Sequence, residues 1–383
     1  MSADPRPMTR QRRHIVIATC AAAALFGSWL GVRFDGATHA WPARLSDQEF
    51  WGLVVSFSEP DRSFRVSNGY RSDNLISNER SLQQVMPGLQ ETVRAGGYLG
   101  VGSEQNFTYI TALKPTIAFI IDIRRQNMLL HLMYKAVVEI STDRVDFLSH
   151  QFSRPHPAGV GHDSTPQAIF EAFKAVSPSE ELAQANLRAI FNRLERVHGF
   201  PLTPEDEGTI KDTFHSFYNA GPDIRWDPDG GAWIPSYADL MAQTDPRGQP
   251  RSYLASEENF QALKRYETNN RIVPLVGDFG GDKAMRAVGR YLKDHADTVA
   301  AFYTSNVEGY LHGEGRRQFI RNVSMLPLDE RSTFIRTIFT TIAYCSDTMV
   351  ARRDFNCTRP GPEYQTSTVI DPIRGWLNTW QRE

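Results

Sequence analysis

Five apolar residues in a row, Ile117-Ala118-Phe119-Ile120-Ile121, lie between the stop Lys114-Pro115 and the acidic Asp122. No polar position interrupts them, so a strand made of them must be covered on both faces, as in a parallel sheet lying between helices. The flanks agree. Gly97-Tyr98-Leu99-Gly100-Val101 reads as a strand, residues 104–113 as a helix and residues 126–139 as a long amphipathic helix. Residues 97–140 thus make one strand, helix, strand, helix unit, and a Rossmann-like, doubly wound α/β sheet is predicted.

The same signal returns later in the chain. Ile272-Val273-Pro274-Leu275-Val276 reads as a strand ended by Gly277-Asp278-Phe279-Gly280-Gly281, followed by a helix over 282–295 and a strand over 298–303. Residues 316–344 supply a further mixed strand and helix segment. Between the two halves, 154–165 is rich in Pro, Gly and His, and apolar residues at three- and four-residue spacing over 166–218 predict an inserted helical layer. Residues 222–250, with Trp226 and Trp233, read as an ordered surface loop whose aromatics pack it onto the body. Upstream, Ser46-Asp47 with Glu49 opens a short helix over 45–59, 62–76 is a polar loop, and 78–93 reads as a helix weakened at Pro87-Gly88.

Arg6, Arg10, Arg12 and Arg13 precede the uncharged run 15–32, the layout of an export leader. The four arginines should stay cytoplasmic, which sends the rest across the cytoplasmic membrane, to the periplasm or to an outward-facing anchored state. The run suits either a signal cleaved after Thr38-His39-Ala40 or a retained anchor, the one contact with a membrane that is expected. The organisation is then a leader over 1–40, a body over 41–344 with the insertion at about 166–218, and a tail over 345–383 packed on the body. Cys345 and Cys357 remain in the exported part, either as a disulfide or as two independent buried thiols. With 42 basic against 44 acidic residues, no global field argues for nucleic acid.

In doubly wound sheets ligands bind beyond the carboxyl ends of the strands. The Gly100-Val101-Gly102 turn leads through Ser103, Glu104 and Gln105 to Asn106, and its small residues let backbone N–H groups approach a ligand. Asp122 lies 20 residues beyond Gly102 at the end of the next strand, either as an acceptor for a ribose diol or as a helix N-cap. Arg124 and Arg125 either grip an anionic substrate or begin an exposed helix. His150, His156 and His162 lack the spacing of a helical zinc pair, so no metal is expected.

These features resemble the class I S-adenosylmethionine-dependent methyltransferases, over 97–140 and more loosely over 270–310, and an uncharacterised bacterial branch of that superfamily. The resemblance implies that Gly100, Gly102, Glu104, Asn106, Asp122 and Asp278 bind S-adenosylmethionine, with Asp278 facing the adenine. It implies that Arg124, Tyr303, Ser305 and Asn306 meet the substrate. A glutamate at 104 suits a cationic ligand better than a phosphate. The third glycine of the family pattern is replaced here by Glu104 or Gln105, and no catalytic base is assigned. Two functions are therefore expected as alternatives: an enzyme using an adenosyl cofactor, or a non-catalytic extracytoplasmic binding or scaffold protein on the same fold. Export favours the second, since S-adenosylmethionine is made in the cytosol.

Overall fold

The computed structural model describes residues 41–62, 74–227, 234–342 and 363–380. The leader-like segment 1–40, Trp233, and Cys345 and Cys357 with their expected bridge lie outside the described residues. No helix among the described residues is long and apolar enough to cross a membrane.

The first helix, α1 (Asp47–Phe57), starts where its signal placed it. Ser46 Oγ accepts the Glu49 N–H at 3.2 Å, and Glu49 Oε2 accepts the Ser46 N–H at 2.7 Å, so two otherwise orphaned donors are satisfied reciprocally. Phe50, Leu53, Val54 and Phe57 recur on one face and are buried. Ser46→Ala should remove the cap at a cost of about 1 kcal/mol, read by urea unfolding, and no change in midpoint would refute this.

Of the helix expected over 78–93 only α2 (Met86–Thr92) forms, with Pro87 in its first turn, where a missing N–H costs nothing. The polar residues before it take an irregular path instead, with the Glu79 N–H bonded to Ser77 Oγ at 3.1 Å. Next come β1 (Gly97–Gly100), α3 (Gln105–Leu113), β2 (Ala118–Asp122) and α4 (Arg125–Ile140), as the sequence pattern indicates. Every residue of β1 and β2 is buried, the environment that an uninterrupted apolar run requires.

The helical insertion between β2 and β3 is longer than its apolar spacing suggested. It holds α5 (Arg144–Phe152), α6 (Pro166–Lys174), α7 (Glu180–Phe191), α8 (Pro204–Ala220), α9 (Tyr237–Ala242) and α10 (Glu257–Thr268). Helix α10 escapes a periodicity reading because only Phe260, Ala262, Leu263 and Glu267 are buried in its 12 residues. Helix α5 is short, and Asp143 starts it by accepting the Val145 and Asp146 N–H groups.

The chain then returns to the sheet with β3 (Ile272–Val276), α11 (Ala284–Asp294), β4 (Val299–Ser305), α12 (Gly313–Ser324) and β5 (Thr333–Ile342). Residues 363–380, read from the sequence as part of a packed tail, form β6 (Glu363–Pro372) and α13 (Ile373–Trp380). Strand order is β3-β2-β1-β4-β5-β6, with β1 to β5 parallel and β6 antiparallel to β5. The architecture is α/β and compatible with a Rossmann-like fold. The order reverses direction between β1 and β4, so the crevice above their carboxyl ends is the topological switch point.

Helix α4 is buried along most of its length and carries charge into the interior. Lys135 Nζ donates to Glu139 Oε1 at 2.7 Å, while Glu139 Oε2 meets Arg193 Nε at 2.5 Å and His198 Nε2 at 2.7 Å. The other ring nitrogen of His198 reaches Asp47 Oδ1 at 2.9 Å, which ties α1 to the insertion. Burial alone would push the Glu139 carboxyl up, yet His198 and Lys135 together hold it down at about 2.

Candidate functional site

The turn after β1 is shaped from inside. A Cβ on Gly100 would overlap Asn106 Oδ1, so only glycine fits. Asn106 is fully buried; its Nδ2 donates to the carbonyls of Val101 at 2.9 Å and Ser103 at 2.8 Å, and its Oδ1 accepts the Tyr98 hydroxyl at 2.9 Å. Gly102 has φ +76, a conformation that L side chains rarely adopt. Its carbonyl accepts from His131 Nε2 at 2.8 Å, which fixes the ring tautomer, and burial draws the imidazole down to about 4 and keeps it neutral.

Beyond the carboxyl ends of four parallel strands lies a cavity of about 320 Å³. The turn after β1 contributes Val101 and Gly102 to its wall and the start of α3 Gln105, the end of β2 and the turn beyond it contribute Asp122 and Arg124, the loop after β3 contributes Gly277 to Phe279, and the end of β4 with the residue after it contributes Ser305 and Asn306. The structure thus brings together Gly102, Asp122, Arg124, Asp278, Ser305 and Asn306 of the residues expected from sequence. Gly100, Glu104, Asn106 and Tyr303 stay outside the wall as buried supports. Glu104 is fully buried, with Oε1 accepting the Ser77 N–H at 3.2 Å, Oε2 without a partner, and burial pushing the carboxyl up to about 7. Tyr303 is fully buried, and its hydroxyl accepts from Gln105 Nε2 at 3.3 Å.

Asp122 does not cap α4. Its Oδ1 accepts the Arg124 N–H at 3.0 Å and Arg124 Nε at 3.2 Å, closing a short turn at the strand end. Its Oδ2 has only a long contact, 3.4 Å, with Arg124 Nη2, so this oxygen retains lone pairs for a further donor. Asp278 accepts the Gly280 N–H at 2.8 Å and Arg62 Nη1 at 3.0 Å. Arg125 turns away and makes a bidentate pair with Asp206, at 2.6 and 2.8 Å.

Sequence reasoning missed Glu79, which lines the cavity and is 2 % exposed. The hydroxyls of Ser305 and Thr337 donate to its two oxygens. Burial pushes this carboxyl up, against the pull of the Ser305, Thr337 and Tyr303 hydroxyls. Nothing in the sequence marks Glu79, because it sits on an irregular segment with no motif and reaches β4 only in three dimensions. Ser305 itself has φ +51 and ends β4 where the register with β5 shifts. Trp226 and Tyr310 also line the cavity, so Trp226 does more than pack its loop.

Elsewhere, His162 meets Asp143 and Glu257, with ligand-capable atoms all within 4.8 Å of one another. Asp143 already caps α5, and the Arg144 N–H donates to Glu257 Oε2 at 3.2 Å. The arrangement is a helix start and an ion-pair cluster.

Residues 74–366 match the model of a family described as domain of unknown function DUF7790. The chain belongs to this family. No curated protein matches it. The DUF7790 match begins at Asn74 in the cavity wall and ends within β6, so it spans the whole parallel sheet and each residue named above in the cavity wall.

Proposed function

We propose that this DUF7790 protein binds an adenosyl ligand of the S-adenosylmethionine class in the cavity at the switch point. The observation that carries the reading is the position of Asp122: its Oδ2 stands at the end of β2 beside the Gly102 turn, in a wall with three carboxylates and one guanidinium. A ribose diol donates to such a carboxylate, and a cationic sulfonium is favoured in an acidic cavity. Methyl transfer is the reaction that this ligand would serve, with the protein's part being to position donor and acceptor. The leader-like start favours a second reading, a non-catalytic extracytoplasmic binding protein using the same cavity.

Calorimetric titration with S-adenosylmethionine and S-adenosylhomocysteine tests the ligand. Asp122→Asn should weaken binding about tenfold to a hundredfold, from the loss of a charge-assisted bond of roughly 1.5–3 kcal/mol, while the thermal melt moves much less because Asn still accepts the Arg124 N–H. A folded wild type that binds neither compound would remove the adenosyl reading. The wall charge also predicts selectivity: ATP and NAD should bind at least about tenfold more weakly than S-adenosylhomocysteine, since their phosphates face Asp122, Asp278 and Glu79. Tighter binding of either nucleotide would reverse the charge argument.

A further inference from the structure

Three carboxylates line the cavity, and they are not equivalent. Asp122 is paired with Arg124, and Asp278 with Arg62. Glu79 is held by hydroxyls instead, and no lysine, arginine or histidine pairs with it among the described residues. It is as buried as a core residue, yet it belongs to a wall that a ligand can reach. Hydroxyl donors stabilise a carboxylate but leave its charge uncompensated, and a buried charge without a counter-ion is costly.

From this asymmetry we infer that the β4 end of the cavity is a subsite for a protonated primary amine, with Glu79 as its counter-ion. The inference deepens the adenosyl reading and rests on the same cavity being a ligand site. Position separates the two ends. Asp122 ends β2 and Ser305 ends β4, two strand intervals apart, or roughly 10 Å, so a nucleoside on Asp122 leaves the Glu79 end for a second group. Tyr310 and Trp226 add aromatic rings to the wall, a composition that favours a cation over a neutral donor. An ammonium group supplies up to three donors, which suits the oxygens of Glu79 and the Asn306 side chain beside Ser305.

Saturation-transfer NMR on the full chain, with n-butylammonium chloride, n-butanol and adenosine as separate probes, tests this. Butylammonium should give a signal at least about fivefold stronger than butanol, and Glu79→Gln should abolish that difference while the adenosine signal stays. Equal signals from the two butyl probes, no butylammonium signal in folded wild type, or an undiminished signal in Glu79→Gln would overturn the subsite. The adenosine signal reads the adenosyl reading separately in the same samples. If Glu79→Gln fails to fold, Thr337→Val serves: it removes a hydroxyl that holds this carboxyl down while keeping side-chain shape, so the group shifts further toward its neutral form and the butylammonium signal at neutral pH should fall about twofold while the adenosine signal stays. An unchanged or stronger butylammonium signal there counts against the proposal.

Discussion

Gly100→Ala and Asn106→Ala are each expected to destabilise the protein by about 3 kcal/mol, and the double variant by about 1–2 kcal/mol less than their sum. A Cβ added at Gly100 would overlap Asn106 Oδ1 and stand 2.8 Å from the Tyr98 ring, so the asparagine must leave its place. Removing the asparagine side chain has the same consequence by another route. The carbonyls of Val101 and Ser103 and the hydroxyl of Tyr98 lose their partner inside a buried turn, at roughly 1–3 kcal/mol for each group left unsatisfied. Since both changes break one set of bonds, the second should have less left to break. Urea unfolding of the four proteins completes the cycle, and strict additivity would show that the two residues act independently. Both variants should also weaken the proposed adenosyl binding, because Val101 and Gly102 of the same turn belong to the cavity wall.

The second large effect concerns the interior charges of α4. Glu139→Gln should cost about 3 kcal/mol at neutral pH, with Lys135, Arg193 and His198 left around a neutral amide. The pH dependence follows from the depressed carboxyl. Its value falls from 4.5 to about 2 on folding, which corresponds to about 3 kcal/mol of linkage. A depressed acid contributes stability that is fully present above pH 4.5 and is lost as pH falls toward 2. The stability difference between wild type and Glu139→Gln should therefore be largest at pH 5–7 and shrink steadily below 4.5. Denaturant melts between pH 7 and pH 2.5 measure it, and a pH-independent difference would mean that Glu139 is not held ionised by its neighbours.

The strand ends of this protein could be read in advance, while the contents of the cavity could not. Apolar runs at 117–121 and 272–276 are local statements about burial on both faces, and the Gly-rich turn and Asp122 follow directly at fixed offsets. Once the parallel strands were placed, their carboxyl ends defined where a ligand could sit, and Gly102, Asp122, Asp278 and Ser305 are there. Offsets do not say which way a side chain faces. Gly100 and Asn106 carry the same signal as Gly102, yet they brace the turn from within, and Glu104 points into the core.

What required the tertiary structure has one physical origin, polar groups joined across large sequence separations. Glu79 becomes a wall residue because Ser305 and Thr337, 226 and 258 positions away, donate to it. The same holds for Asp278, which accepts from Arg62 across 216 positions. It holds again for His198, which joins Asp47 and Glu139 across 151 and 59 positions. Hydrophobic periodicity is written in nearest neighbours and survives in one dimension. Electrostatic pairing depends on distances that only the packed chain sets, and so the sequence determined the sheet and its cavity-facing edge, while the fold decided which charges on that edge are already answered.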